Sequence, residues 1–476
     1  MATNSSKDVI VVGGGIAGLV AANRLVENGI SALLLEKGQS EYLCNSRFTG
    51  GAFHICFRDI MSDANSLRET ILNTVPDVVS PQMASTIAEE GRRVVRWLQQ
   101  QGIRFIKGGP DEWQRWMLSP PSLVRPGLNW RGRGGDVMLR SLRSNLEARG
   151  GQMRDGSRVV ELIMRDGRCV GVVIEKDGRR TDLEAQAVVL ADGGFQGNLE
   201  LLGRYVSPQP DRVRQRGAGT GGGDGIRMAE AVGARLTGMN RIYGHVLCRE
   251  AMTKEGLWPY PIMDYVSAAG IVIDAQGRRF MDEGLGGVFM TNGIAQLPDP
   301  LSSTVIFDEA IWNGPARDFI LPANPNLKIA GGSIQTAQNV SGLANMIGIP
   351  ESNLISTIAA YNDAVDAGRT ERLSPTRTAV TYKPWPIRVA PFHAVSLAAG
   401  VTYTMGGIEI DTGSHVIGGD GRPIPGLFAA GCTTGGLEGG TKIGYVGGLA
   451  KSGVTALRAA ESIAAEFGKS ISAVQH

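Results

Sequence analysis

The sequence predicts an α/β protein: a parallel sheet continued by a β-meander, with a second, α+β unit inserted into it. Three observations predict this. A β-α-β pattern with a glycine-rich turn opens the chain at residues 8–36. Strand-like runs separated by an Asp-Gly turn begin near residue 157. Glycine supplies 66 of 476 residues, about twice the usual share of roughly 7%. That excess has neither the proline content nor the period of collagen, and a 42% hydrophobic content is too high for a disordered chain. The glycines therefore serve folded backbone, at positive φ or at close approach to something.

Taken in order, Val9-Ile10-Val11-Val12 is an apolar run typical of a buried parallel strand. Gly13, Gly14, Gly15 and Gly18 follow it, then an amphipathic helix from Leu19 to Glu27 that Gly29 caps. A second strand, Ala32 to Leu35, ends at Glu36, 18 positions past Gly18, close to the roughly 20 of a dinucleotide-binding unit. Here the glycines let backbone approach a pyrophosphate at the helix N-terminus, and Glu36 accepts from a ribose. From Ser157, two strands flank the Asp166-Gly167 turn, and a third, Ala187 to Leu190, runs into Ala191-Asp192-Gly193-Gly194. Six glycines within 217–225 lead into an amphipathic helix. Residues 235–370, with Trp258-Pro259-Tyr260-Pro261 and helical segments near 335–366, read as an inserted domain between a first part at 1–234 and a second at 371–476. The stretch Tyr403 to Gly453 is dense in glycine and ends in a helix, Ala450 to Ala465.

Charge and composition exclude several functions. Lys+Arg 48 against Asp+Glu 46 gives +2, a balance that argues against nucleic acid or an anionic membrane as main partner. No apolar run approaches the roughly 20 residues of a membrane span. The N-terminus lacks a basic region and a cleavage site, so no signal peptide is expected. Five scattered cysteines without a CxxC pair point to reduced thiols in a cytoplasm and away from zinc, haem c or iron–sulfur sites.

Together these segments resemble the flavoprotein family of soluble fumarate reductases, succinate dehydrogenase flavoprotein subunits and 3-ketosteroid dehydrogenases. The resemblance runs nearly the whole chain. It is carried by Val11-Val12-Gly13-Gly14-Gly15-Ile16-Ala17-Gly18-Leu19, Val189–Phe195, Thr404-Met405-Gly406-Gly407 and Pro423–Gly431. It implies a Rossmann-like FAD-binding domain, with 235–370 as a cap over the substrate. The FAD contacts it implies are Gly13, Gly15, Ala17, Gly18, Glu36, Lys37, Ser46, Thr49, Gly50, Gly51, Val159, Ala191, Asp192, Gly193, Asp224, Gly431 and Gly448. The last helix would point its N-terminus at the flavin and stabilise the anionic reduced ring. Membrane-bound relatives attach FAD through a His in a Ser-His-Thr segment; Ser46-Arg47-Phe48-Thr49 has none, so the FAD is expected to be non-covalent.

The family's chemistry is dehydrogenation, or the reverse, of a C–C bond beside a carbonyl, with a donor for the developing enolate and a side chain for the α-proton. Three positions depart from the fumarate reductases. Tyr403 stands where they have His, Gly284–Met290 lacks their proton-donating Arg, and Lys442 stands where an Arg clamps a carboxylate. Lys is not a bidentate substitute. Gly444-Tyr445 instead resembles the Gly-Tyr pair with which ketosteroid dehydrogenases polarise a ketone. Tyr403 and Tyr243 are the candidates for their second tyrosine, the base, whose phenolate a cation such as Lys442 would stabilise. His245 falls near a substrate-binding His of the fumarate reductases; His54 and His393 are weaker candidates. Asn45-Ser46-Arg47 resembles the entrance of tricarballylate dehydrogenases.

The expected function is an FAD-dependent desaturase acting α,β to a ketone, on a small cyclic substrate of 3-oxosteroid or 4-oxocyclohexanecarboxylate type. Oxygen or another acceptor would take the electrons. The alternatives are a fumarate reductase or tricarballylate dehydrogenase type of enzyme, using Lys442 and His245 on a carboxylate, and a non-catalytic flavin subunit.

Overall fold

The computed structural model describes residues 7–122, 130–254, 260–318 and 321–474. The first six residues, on which the absence of a signal peptide turned, lie outside them, as do Trp258 and Pro259.

The first unit grows from the apolar runs read in the sequence. β1 (Lys7–Val12), α1 (Ile16–Glu27) and β2 (Ala32–Leu35) form the opening β-α-β. The helices α2 (Ala64–Thr74), α3 (Pro81–Gln100) and α4 (Gly134–Ala148) precede β3 (Gln152–Arg154). The meander is β4 (Arg158–Arg165), β5 (Arg168–Lys176) and β6 (Arg179–Leu190). Asp166 and Gly167 both take positive φ, 50° and 75°, as a two-residue hairpin turn requires.

Further on come β7 (Arg214–Gln215), α5 (Asp224–Ala231), β8 (Ile242–Cys248), α6 (Asp264–Ala269), β9 (Ile271–Ile273), β10 (Thr304–Asp308) and β11 (Gln335–Ala337). The helices α7 (Val340–Ile347) and α8 (Glu351–Asp366), β12 (Phe392–Thr404), β13 (His415–Ile417), β14 (Pro423–Ala429) and α9 (Gly448–Glu466) complete the described elements used below. Residues 335–337, expected to be helical, pair with β12 instead.

The eight-stranded sheet has the order β13-β14-β6-β1-β2-β3, with β5 on β6 and β4 on β5. β14, β6, β1, β2 and β3 run parallel, and β1 and β2, with α1 packed on them, are buried from Val9 to Val12 and from Ala32 to Leu35. That burial explains why these strands read as unbroken apolar runs. The parallel arrangement brings the C-terminal ends of β1, β6 and β14 to one edge. There lie the glycine turn, Ala191–Gly194 and Gly431.

The six-stranded sheet has β12 at its centre. β7, β8, β10 and β11 all pair with it, and β9 pairs with β10. β7 and β12 lie outside 235–370, so the second sheet draws chain from both flanks of the segment read as the insertion. A buried Arg279–Glu283 pair stiffens this unit. The carboxylate accepts from Arg279 Nε and from the backbone of Val272, both at 3.0 Å, and its side chain has no exposure. Removing one partner of such a pair costs about 3–5 kcal/mol. Glu283→Ala is therefore expected to lower the unfolding free energy by that amount, read as a lower urea midpoint at an unchanged m-value.

Candidate active site

Two adjoining cavities run along that edge. The first is lined by Gly13, Gly15, Ala17, Glu36, Lys37, Ser46, Val159, Ala191, Asp192, Gly193 and Asp224. The second is lined by Ser46, Thr49, Gly50, Gly51 and Gly448, by Tyr243, His245, Tyr403 and Tyr445, and by Arg216, His54, Phe57, Trp113, Trp130 and Tyr260. Ile16, Asn45, Ser46, Cys432 and Ser452 border both.

The first cavity fits a dinucleotide. A Cβ on Gly15 would meet nothing nearer than Ser46 Oγ at 3.5 Å, so its backbone is open to the cavity; a Cβ on Gly13 would strike the Ala191 carbonyl at 2.6 Å. α1 begins at Gly15 without a cap from its own side chain; Ile16 N donates to Ser46 Oγ at 3.1 Å, and the next amides of the first turn are left for an anion. Glu36 Oε2 accepts from Gly14 N and Oε1 from Gly38 N, both at 2.7 Å. A carboxylate has about four acceptor sites, so the bonds that set the turn leave room for a ribose hydroxyl. Lys37 and Arg158 pair with Asp224 at 3.3 and 2.8 Å. Asp192 accepts from Gly225 N at 2.8 Å, and burial pushes its carboxyl up to about 6.

Gly18 and Gly431 stand behind this wall rather than on it. A Cβ on Gly18 would collide with the Gly13 carbonyl, and one on Gly431 would meet Ala17 Cβ at 2.8 Å. Both keep helix and strand in close packing.

A β-bulge arranges the tyrosines. β8 and β12 pair antiparallel with Tyr243 opposite Tyr403, and the register shifts between Tyr243 and Gly244. A Cβ on Gly244 would collide with the Gly400 carbonyl, so only glycine permits the pairing. Such bulges re-aim side chains beside functional sites. The Tyr243 ring lies 5.2 Å from that of Tyr403 and stacks at 4.1 Å on that of Tyr445.

Each phenol has a different partner. Tyr403 O–H donates to Glu438 Oε2 at 2.8 Å. Tyr445 Oη accepts from Gly448 N at 3.2 Å, at the start of α9. Tyr243 Oη lies 3.4 Å from His245 Nε2, and His245 Nδ1 lies 2.6 Å from Asp264 Oδ2. The Asp264 carboxylate places the imidazole proton on Nδ1 and leaves Nε2 as the acceptor of the Tyr243 proton.

Burial, then the neighbouring Glu438 carboxylate, holds the Tyr403 phenol well above its usual range. Burial raises Tyr243 only to about 12, and the Arg216 guanidinium is the leading opposing influence. Tyr243 is thus the phenol better placed to give up its proton; Tyr403 is committed to Glu438. Burial lowers the pKa of His245, and the Asp264 carboxylate opposes that fall.

The structure corrects the expected cation. Lys442 is exposed, lines neither cavity, and its Nζ lies 3.5 Å from the Asn73 carbonyl. Ile443 at φ +51° and the positive-φ glycines 439 and 440 turn this loop back on itself. The buried cation is Lys451, whose Nζ lies 2.6 Å from Glu438 Oε2 and 5.0 Å from the Tyr403 ring centre. Sequence reasoning missed Lys451, Glu438, Asp264 and Arg216. Two signals were there: an acid alone among the glycines 435–440, and a lysine in the first turn of a helix whose residues 448–457 are otherwise small or apolar.

Lys442→Ala is expected to shift stability by less than about 0.5 kcal/mol. Lys451→Met, which strands a buried carboxylate, should cost about 3–5 kcal/mol. Paired denaturation curves check both.

The fold is matched by known proteins. A 3-ketosteroid-Δ4-(5α)-dehydrogenase structure from Rhodococcus jostii RHA1, in complex with 4-androstene-3,17-dione, superposes with a TM-score of 0.72 at 22% identity, covering 96% of this chain and 97% of that one. The NADH:fumarate oxidoreductase of Klebsiella pneumoniae (strain 342) is 29% identical over 93% of this chain and 46% of its own length. The chain thus spans about half the length of that curated relative. The 3-oxosteroid 1-dehydrogenase of Mycolicibacterium smegmatis is 24% identical over 97% of this chain and 98% of its own. No described helix is long and apolar enough to cross a membrane. The FAD binding domain family matches residues 8–444, and the chain belongs to that family.

Proposed function

We propose that the protein is an FAD-dependent oxidoreductase that desaturates the C–C bond α,β to the carbonyl of a small ketone. One observation carries this reading: the stacked Tyr243–Tyr445 pair, with the Tyr445 phenol held by the first amide of α9 and Tyr243 in line with His245 and Asp264. The glycine turn, Glu36, Lys37, Asp192 and Asp224 would hold the dinucleotide end, and Ser46–Gly51 with Gly448 would border the ring end. Bound non-covalently, FAD supplies a two-electron acceptor for the β-hydride.

The chain's own residues manage the proton and the enolate. Tyr445 O–H donates to the substrate carbonyl and, as charge develops there, holds the enolate oxygen; Gly448 N–H orients that phenol. Tyr243 takes the α-proton while its own proton passes to His245 Nε2. The Asp264 carboxylate stabilises the imidazolium that results, as an acid does behind a catalytic His. Stacked aromatic rings exclude water, which strengthens each of these interactions. The unit built on the second sheet, centred on residues 235–370, covers the substrate side. The electrons leave to oxygen or to a further acceptor.

A second reading has one observation in its favour. Arg216, whose Nη1 donates to Thr402 Oγ1 at 2.7 Å, lines the same cavity as His245. A guanidinium there suits a carboxylate on the substrate, and the relatives include a protein named as a fumarate oxidoreductase. Anaerobic titration of the flavin separates the two. Bleaching by saturated cyclic ketones supports the first; bleaching by succinate-like acids alone contradicts it.

Tyr445→Phe is expected to lower kcat by roughly 10²-fold or more, as loss of an oxyanion donor does. Retention within a factor of about three, far from that figure, would refute its role. His245 must be neutral to accept a proton, and its pKa is lowered. So kcat/KM should stay level through neutral pH and fall only below the ordinary histidine value of about 6.5.

A further inference from the structure

His54 has no role in the scheme above, yet it borders the same cavity. It sits in a two-residue strand, His54–Ile55, that hairpins back through Cys56 and Phe57 onto Arg58–Asp59. Both turn residues are non-glycine at positive φ, 48° and 61°. Strain of this kind persists where the surroundings over-determine the backbone, and it clusters at functional sites.

The turn fixes the imidazole. Phe57 N donates to His54 Nδ1 at 3.2 Å, and the Phe57 ring stacks on His54 at 5.0 Å, 14° from parallel. Trp113 approaches the imidazole edge-on at 6.4 Å. A backbone N–H bound at Nδ1 makes that nitrogen the acceptor, so the proton of the neutral ring is on Nε2. No described residue bonds Nε2.

The hairpin is also tied to the loop that carries Tyr445. Cys56 N donates to the Val446 carbonyl at 2.7 Å, and the His54 and Tyr445 rings meet edge to face at 5.5 Å. A second donor thus stands beside the first, its proton fixed on the nitrogen left open.

Resting on the ketone reading, we propose that His54 donates its Nε2–H to the substrate carbonyl oxygen that Tyr445 holds. The two donors form an oxyanion site for the enolate, one from the α9 loop and one from the strained hairpin. Burial lowers the imidazole pKa to about 4, against a smaller opposing influence from Glu438. At neutral pH the ring is a neutral donor, which polarises the carbonyl without giving its proton away.

Phenol binding tests this without turnover. 4-Methylphenol mimics the planar enol, and its Kd is read from the flavin absorbance of the oxidised holoenzyme, with variants compared at equal flavin occupancy. His54→Leu should raise Kd by about 10-fold or more, as loss of a bond to a partly charged oxygen does. His54→Gln keeps an N–H near the Nε2 position and should stay within about 3-fold of wild type. Unchanged binding by His54→Leu, with Tyr445→Phe impaired, overturns the assignment and leaves the ketone reading standing. Equal losses in the Leu and Gln variants overturn it too, since they mark a structural role. Absence of phenol binding by the wild-type protein overturns the ketone reading, and this assignment with it.

Discussion

The fully buried Glu438 carboxylate holds the site together. It accepts from Tyr403 O–H at 2.8 Å, Lys451 Nζ at 2.6 Å, Val446 N at 3.0 Å and Gly447 N at 3.1 Å. A carboxylate removed from water is costly unless it is paired and its remaining lone pairs are used; here one cation and three neutral donors meet that cost. The four bonds join β12, the loop carrying Tyr445 and the first turn of α9. They fix where the helix begins, hence where Gly448 N meets the Tyr445 phenol. Tyr403 is thereby a strut, which leaves Tyr243 for the proposed reactive role.

A second constraint comes from the backbone. The bulge between Tyr243 and Gly244, possible because Gly244 has no Cβ, sets Tyr243 opposite Tyr403 and brings His245 to the same cavity. Asp264, at the start of α6, then reaches both His245 Nδ1 and Val246 N, the latter at 2.8 Å. One short strand therefore carries a phenol, an imidazole and the backbone contact that orients the carboxylate behind them. Geometry of this kind needs the sheet; neither residue would be placed by a loop of the same sequence.

Much of the nucleotide side was legible because its signals are local. Val9–Val12, the glycines 13–18 and Glu36 lie within one β-α-β unit, and steric rules tie each residue type to its place. The substrate side was legible by residue type and not by role. Tyr243, Tyr403, Tyr445 and His245 all border the cavity, yet which phenol can ionise depends on Glu438 and Arg216, which reach it from distant segments. Lys442 misled because its local motif resembles an arginine position, while positive φ at Gly439, Gly440 and Ile443 turns the loop back on itself and leaves Lys442 exposed. The second sheet outran 235–370 because its central strand, β12, is buried on both sides and reads like the strands of the first unit.

The account rests on proton transfer from the α-carbon to Tyr243, and isotope exchange measures that step apart from net oxidation. A saturated cyclic ketone deuterated at its α-carbons is held anaerobically with the flavin-loaded protein in ordinary water. The account predicts stereospecific loss of one α-deuterium, slowed by roughly 10²-fold or more in Tyr243→Phe, at the lower bound for a general acid–base group, and little affected in Tyr403→Phe at equal flavin occupancy. Exchange that survives in Tyr243→Phe and disappears in Tyr403→Phe would contradict it.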